Sequence, residues 1–329
     1  MSSAKRGRDW APFRLPPWPL GRRHECPAPK SAARSLCSKR RRGWRTVTPW
    51  IDIGVNSAHA PIASAVPEVL KRARAAGVHG ALLTGTCLAS STLVHEQAQA
   101  AGPGYGATAG VHPHDAKDAP ADLEQQLRQR LEAPAVCAVG ETGLDFNRDY
   151  SPRATQERVF TVQLALAAET GLPLFLHERD AAARFQACFA PFAGQVRGVL
   201  HCFTGDPAML AWGLAQGLYF GITGWVCDER RGEALRAAVR EIPEDRLLLE
   251  TDAPFLVPRT LRPRPRHNEP AYLPVVADAV AALRGLSRQA LAARCLANTV
   301  ALFGPRLSPA PEETRAPQEE KKAPEAPDP

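Results

Sequence analysis

No uninterrupted apolar run in the 329 residues is long enough to cross a bilayer, which excludes a helical membrane span. No Cys-x-x-Cys pair occurs either. Cys26, Cys37, Cys87, Cys137, Cys188, Cys202, Cys227 and Cys295 follow no regular spacing, which argues against a disulfide framework or a zinc knuckle and for reduced thiols in a cytoplasmic protein. Methionine is scarce: Met209 is the only one after Met1, so a shorter product would need a start codon other than ATG, for which Val47 stands just ahead of the first strand.

A basic body is missing too. The net charge of +7 is concentrated in residues 1–45, which hold 13 Lys/Arg against 2 Asp/Glu. Without that arm and the tail from Pro305, the remaining body carries −2, so an argument from overall charge to nucleic acid applies to the arm alone. The arm is rich in Arg, Pro and Trp, shows neither helical nor strand period, and reads as a disordered basic extension. The tail at 305–329 alternates Pro, Ala and Glu and reads the same way, which leaves 46–304 as the folded domain.

Within that domain, apolar runs of strand type alternate with patterns of helical spacing. The strand candidates are 50–55, 80–86, 105–113, 136–143, 172–178, 196–203, 218–226 and 246–254. Helical patterns separate them, Ser151-Pro152 and Asp206-Pro207 look like helix starts, and Gly77, Gly102, Gly171 and Gly217 stand where helices should close. Two further helical patterns, 272–283 and 287–302, follow the last strand. Eight strands, each with its helix, predict an α/β fold: a TIM (β/α)8 barrel with an extra C-terminal helix.

Four of the apolar runs end in side chains able to hold a metal. VCAVGETGLDF opens into Glu141 and Asp145, LPLFLHE into His177, VRGVLHCF into His201 and RLLLETDAP into Asp252. A buried strand has no structural use for an ionisable group at its tip, so the set predicts one shared divalent-metal site at the C-terminal rim. Asp52, Asn56, His112 and His114 are offered at the same rim. Imidazoles with carboxylates suit Zn²⁺, Mn²⁺ or Fe²⁺ and admit Mg²⁺. Asp252 is then either a further ligand or, as preferred here, the base that orients the attacking water.

The segments DIGVN (52–56), TAGVHPHD (108–115), GETGLDFNRD (140–149), LHCFTG (200–205), GITGWVCDERRG (221–232), ETDAPFLVPR (250–259) and RHNEP (266–270) together resemble the TatD family of metal-dependent deoxyribonucleases. The resemblance runs from about Trp50 to Gly304 and keeps order and spacing. It implies a hydrolase of DNA, with RNA as a further substrate, acting as a 3′→5′ exonuclease on single strands. It carries metal roles onto Glu141, His177 and His201, a place beside the metal onto Asp252, and a place against the substrate onto His112. Mg²⁺ is the ion expected first, with Mn²⁺ or Zn²⁺ as alternatives. One departure stands out: many members open with D-x-H-x-H, and here those histidine positions are Gly54 and Asn56, as in the TatD branch proper. A single tight metal site is expected in consequence.

Phosphate needs positive charge, and the loop PRTLRPRPRHNEP after strand eight offers Arg259, Arg262, Arg264, Arg266 and His267. Of these Arg259 and Arg266 are taken as substrate-binding residues, and Trp225 either stacks on a base or caps the core. Two alternatives remain open: a metal-dependent ester or amide hydrolase such as an aminoacyl-RNA deacylase, and a non-catalytic metal-binding interaction protein. The missing strand-one H-x-H and the arginine-rich loop weigh against the first. Glu141 stands where a bimetal amidohydrolase would need a bridging lysine. Nothing in the sequence demands an oligomer, and a monomer is expected.

Overall fold

The structure, a computed structural model, describes residues 48–309; the basic extension, Val47 and the tail beyond Pro309 lie outside the described residues. Eight strands, β1 (Trp50–Val55), β2 (Val78–Leu83), β3 (Tyr105–Ala109), β4 (Val136–Asp145), β5 (Leu174–Arg179), β6 (Gly198–Leu200), β7 (Tyr219–Ile222) and β8 (Leu247–Leu249), form one sheet in sequence order. All pairings are parallel. The seam between the first strand and the chain after the last is made by a Val55–Ala253 bridge, with Asp252 N–H donating to the Gly54 carbonyl at 2.9 Å. This is the expected (β/α)8 barrel.

The helices are α1 (Ala60–Ala63), α2 (Val66–Ala75), α3 (Leu88–Ala101), α4 (Leu123–Leu131), α5 (Arg153–Thr170), α6 (Ala182–Phe189), α7 (Pro207–Ala215), α8 (Glu233–Glu241), α9 (Leu273–Arg284) and α10 (Arg288–Phe303). In α5 the buried residues Gln156, Val159, Phe160, Gln163, Leu164 and Ala167 recur at three- and four-residue steps, which lays one stripe against the sheet. Burying a side chain such as Phe160 contributes about 2–3 kcal/mol. The helix stops where Gly171 takes φ 70 and its N–H reaches the Ala167 carbonyl at 3.0 Å.

Two expected boundaries shift for identifiable reasons. Asp206 caps α7 as predicted, its side chain accepting from Met209 N–H at 2.7 Å. Ser151 does not cap α5; its hydroxyl donates to the His114 carbonyl at 2.8 Å and accepts from Lys117 N–H at 3.0 Å, so it ties the loops after β3 and β4 together. Order also extends past Gly304, because Leu307 in the turn Pro305–Leu307 is fully buried beneath the barrel.

That lower end of the interior is apolar. Ile53, Leu82, Ala138, Phe175, Val199 and Leu248 from six strands pack with Leu302, Phe303 and Leu307, so α10 and the turn after it close the bottom. A second cluster fills the space between sheet and helices. Among the described residues no helix is long and apolar enough to cross a membrane, and the six cysteines described are free.

Candidate metal centre

Above the apolar floor the same strands change chemistry. Two residues beyond Phe175 stands His177, two beyond Val199 stands His201, and two beyond Leu248 stands Glu250; a strand repeats its face every second residue, so each follows its apolar neighbour up the same wall. β4 is longer than expected. It runs through Asp145, because Thr142–Asp145 pair with Leu176–Arg179, so Glu141 and Asp145 lie within the strand rather than past its end. Gly143 permits that pairing: at φ 141 a Cβ would lie 1.8 Å from the His177 carbonyl oxygen.

Glu141 is the hub. Its Oε1 lies 2.8 Å from His201 Nε2, 3.1 Å from His177 Nδ1 and 3.2 Å from His112 Nε2. The structure therefore brings the three residues expected to bind metal, Glu141, His177 and His201, to one point. His112, expected against the substrate, joins them: ligand atoms of His112, Glu141 and His177 all fall within 4.8 Å of one another. Burial alone would raise the Glu141 carboxyl, yet the imidazoles of His201 and His112 hold it well below the ordinary carboxylate range. Burial pushes His112 down to about 4, against the pull of Glu141. His201, also opposed by burial, is held well above its usual value by Glu141 and Glu250.

Around this hub lie carboxylates that orient the imidazoles. Glu250, fully buried, sits 3.3 Å from His201 Nδ1 and accepts from Cys202 N–H. It occupies a niche that two glycines make, since a Cβ on Gly54 would fall 2.3 Å from Glu250 Oε2 and one on Gly221 2.5 Å from Oε1. Glu250 was not singled out from sequence, although its two-residue step from Leu248 is the signal that could have found it. Asp145 accepts from His114 Nε2 at 2.8 Å and lies 3.4 Å from His177 Nε2. His177 Nε2 is buried and makes no hydrogen bond, its contact with Asp145 at 3.4 Å being an ion pair only, and the donor set is mixed N/O; both fit a divalent ion.

Asp252 lies close enough to the hub to feel its charges. Asn56 donates to its Oδ1 at 2.8 Å, and burial together with Glu141 and Glu250, opposed by His201, pushes the carboxyl up to about 7. Asp52 is buried against Thr251, whose N–H and hydroxyl donate to it at 2.9 and 2.5 Å, so it holds the β1–β8 seam rather than facing the hub.

The residues expected to bind substrate lie on the loops after β7 and β8. Trp225 is half-buried on the turn Gly224–Cys227, past the end of β7, with the Arg231 guanidinium 4.7 Å from its ring centre. Arg259 is paired as well as placed on this rim: its Nε lies 2.8 Å from Asp228 Oδ2. Arg266 is exposed. Arg230, Arg259, Arg262 and Arg264 line a cavity of about 430 Å³ over Asp228, so positive charge does gather on this side of the rim.

The chain is similar to known proteins over this whole barrel. The family model described as "TatD related DNase" matches residues 51–304. A protein of Klebsiella pneumoniae named 3′-5′ ssDNA/RNA exonuclease TatD is 51% identical over 259 residues, covering 77% of this chain and 97% of its own. A protein of the same name from Edwardsiella piscicida is 52% identical over 241 residues, covering 71% of this chain and 91% of its own. Among solved structures, a TatD homologue of Escherichia coli K12 superposes with a TM-score of 0.71 at 27% identity, over 78% of this chain and 98% of that one.

Proposed function

The chain belongs to the TatD-related DNase family, and on that footing we propose that it is a metal-dependent hydrolase of phosphodiester bonds, a 3′→5′ exonuclease acting on single-stranded DNA and on RNA. The observation that carries this reading is the convergence of three imidazoles on one carboxylate oxygen at the C-terminal mouth of a barrel. Glu141, His177 and His201 are the residues we assign to the ion, with His112 at its edge toward substrate. We take the ion to be Mg²⁺ first, with Mn²⁺ or Zn²⁺ as alternatives. A bound divalent ion would polarise the phosphoryl oxygen and acidify water.

The chain's own groups do the remainder. Glu250 fixes the ring of His201, and Asp145 fixes that of His114 beside the centre. Asn56 holds one oxygen of Asp252, leaving the other to take a proton from the attacking water. Arg266 and the arginine-lined cavity supply charge to the phosphate backbone, and Trp225 offers an indole edge beside them. The irregularly scattered cysteines support a cytoplasmic enzyme, and we take it to work as a monomer.

The test is hydrolysis of end-labelled single- and double-stranded DNA by metal-stripped protein with Mg²⁺, Mn²⁺ or Zn²⁺ added back, beside Glu141→Ala. Stepwise release from the 3′ end of single strands, absent in the variant, is expected. Hydrolysis that survives Glu141→Ala overturns the assignment.

A further inference from the structure

Among the described residues three large hydrophobic side chains are exposed: Leu93 at 39%, Tyr150 at 56% and Phe255 at 45%. Leu93 lies within α3, on the outer ring. The two aromatics instead stand on loops at the mouth of the barrel, Tyr150 after β4 and Phe255 after β8. Four strands apart in a closed ring of eight, those loops rise from opposite walls.

Both rings are connected to the centre. Tyr150 lies 4.8 Å from the His114 ring, His114 4.3 Å from His112, and His112 4.6 Å from His177, so a continuous run of rings leads from solvent to the Glu141 hub. Phe255 lies 4.9 Å from His59, and its N–H donates to the carbonyl of Asp252, the proposed base, at 2.9 Å. Neither loop is slack. Asp149 pairs with Arg153 at 2.6 Å and buried Ser151 is tied to His114 on either side of Tyr150; Pro254, next to Phe255, accepts from Asn268 N–H at 3.0 Å. A rigid base under an exposed ring keeps the entropy lost on stacking small.

We propose that Tyr150 and Phe255 are base-stacking platforms that seat two unpaired bases of a single strand on opposite sides of the metal centre. The proposal rests on the nuclease reading and deepens it: a base inside a duplex has both faces covered, so these platforms make the site select single strands.

The test is the binding of fluorescein-labelled oligothymidylates, read by anisotropy in EDTA, together with KM and kcat after metal is added back. Tyr150→Ala and Phe255→Ala are each expected to weaken binding about five- to 150-fold, with the loss in KM rather than kcat. Tyr150→Trp and Phe255→Trp should restore it, and Leu93→Ala should behave as the parent. An abasic residue at the terminal or the penultimate position should cost the parent as much as the matching alanine variant costs, and should add nothing in that variant. Affinities of both alanine variants within twofold of the parent, or an abasic penalty that adds in full to theirs, would overturn the platforms. Should the alanine variants fail to fold, the tryptophan variants and the abasic series on the parent decide. If the parent cleaves nothing with any metal while the binding losses appear, the nuclease reading fails and the platforms stand.

Discussion

The lower and upper storeys of the barrel interior are built by the same strands and differ by one step of two residues. Below, Phe175, Val199 and Leu248 meet α10 in a dry floor. Above, His177, His201 and Glu250 continue those walls as buried ionisable groups around Glu141. The floor gains free energy from removing apolar surface from water, whereas the upper storey must offset the desolvation of charge with hydrogen bonds and, when bound, an ion. Stability and chemistry are thus separated along the barrel axis within about two residues, and substitutions in the two storeys should fail in different ways.

The largest effect is expected at the hub. Glu141→Ala should lower DNA hydrolysis by roughly three orders of magnitude while the barrel still unfolds cooperatively, as measured by steady-state kinetics beside thermal melts. Phe175→Ala should do the reverse and cost about 3–5 kcal/mol in urea denaturation. Because the Phe175 ring lies 4.5 Å from His201, a fall in kcat in that variant would show the storeys to be mechanically coupled.

Asp52 sharpens the comparison through pH. Burial pushes its carboxyl up to about 7 from an ordinary 3.8, so the folded protein holds this proton more tightly than the unfolded chain. Its contribution is complete below about pH 4, declines as pH rises to 7 and is flat above. The stability of the parent relative to Asp52→Asn should therefore fall by up to about 4 kcal/mol over that window, read by urea denaturation between pH 4 and 8. Glu250→Gln removes the charge beside His201 Nδ1 and should weaken metal binding about 10- to 100-fold in calorimetry without a comparable loss of fold. The smallest effect belongs to the rim: Arg266→Ala should reduce the salt slope of oligonucleotide binding by about one, and Arg259→Ala by less, since Asp228 already neutralises it.

The contacts that sequence left hidden were hidden for a common reason. Glu250 was hidden in RLLLETDAP because Asp252 drew the functional assignment, yet the first two-residue step above Leu248 falls on Glu250, as it falls on His177 above Phe175 and on His201 above Val199. The pairing of Arg259 was not legible because its partner Asp228 lies 31 residues away on a different loop. Ser151 looked like a helix cap because only the folded chain brings His114 and Lys117 within its reach.

Alternation of apolar strands with helical stripes, and the ionisable residues that end those strands, were local patterns, and they sufficed for the barrel and for the meeting of Glu141, His177 and His201 at one rim. Which oxygen the imidazoles share, which carboxylate orients which ring, and which arginine is already paired depend on contacts between residues 30 to 200 positions apart. Periodicity records which face a side chain takes, but not its neighbour across the barrel; closure of the sheet alone decides that.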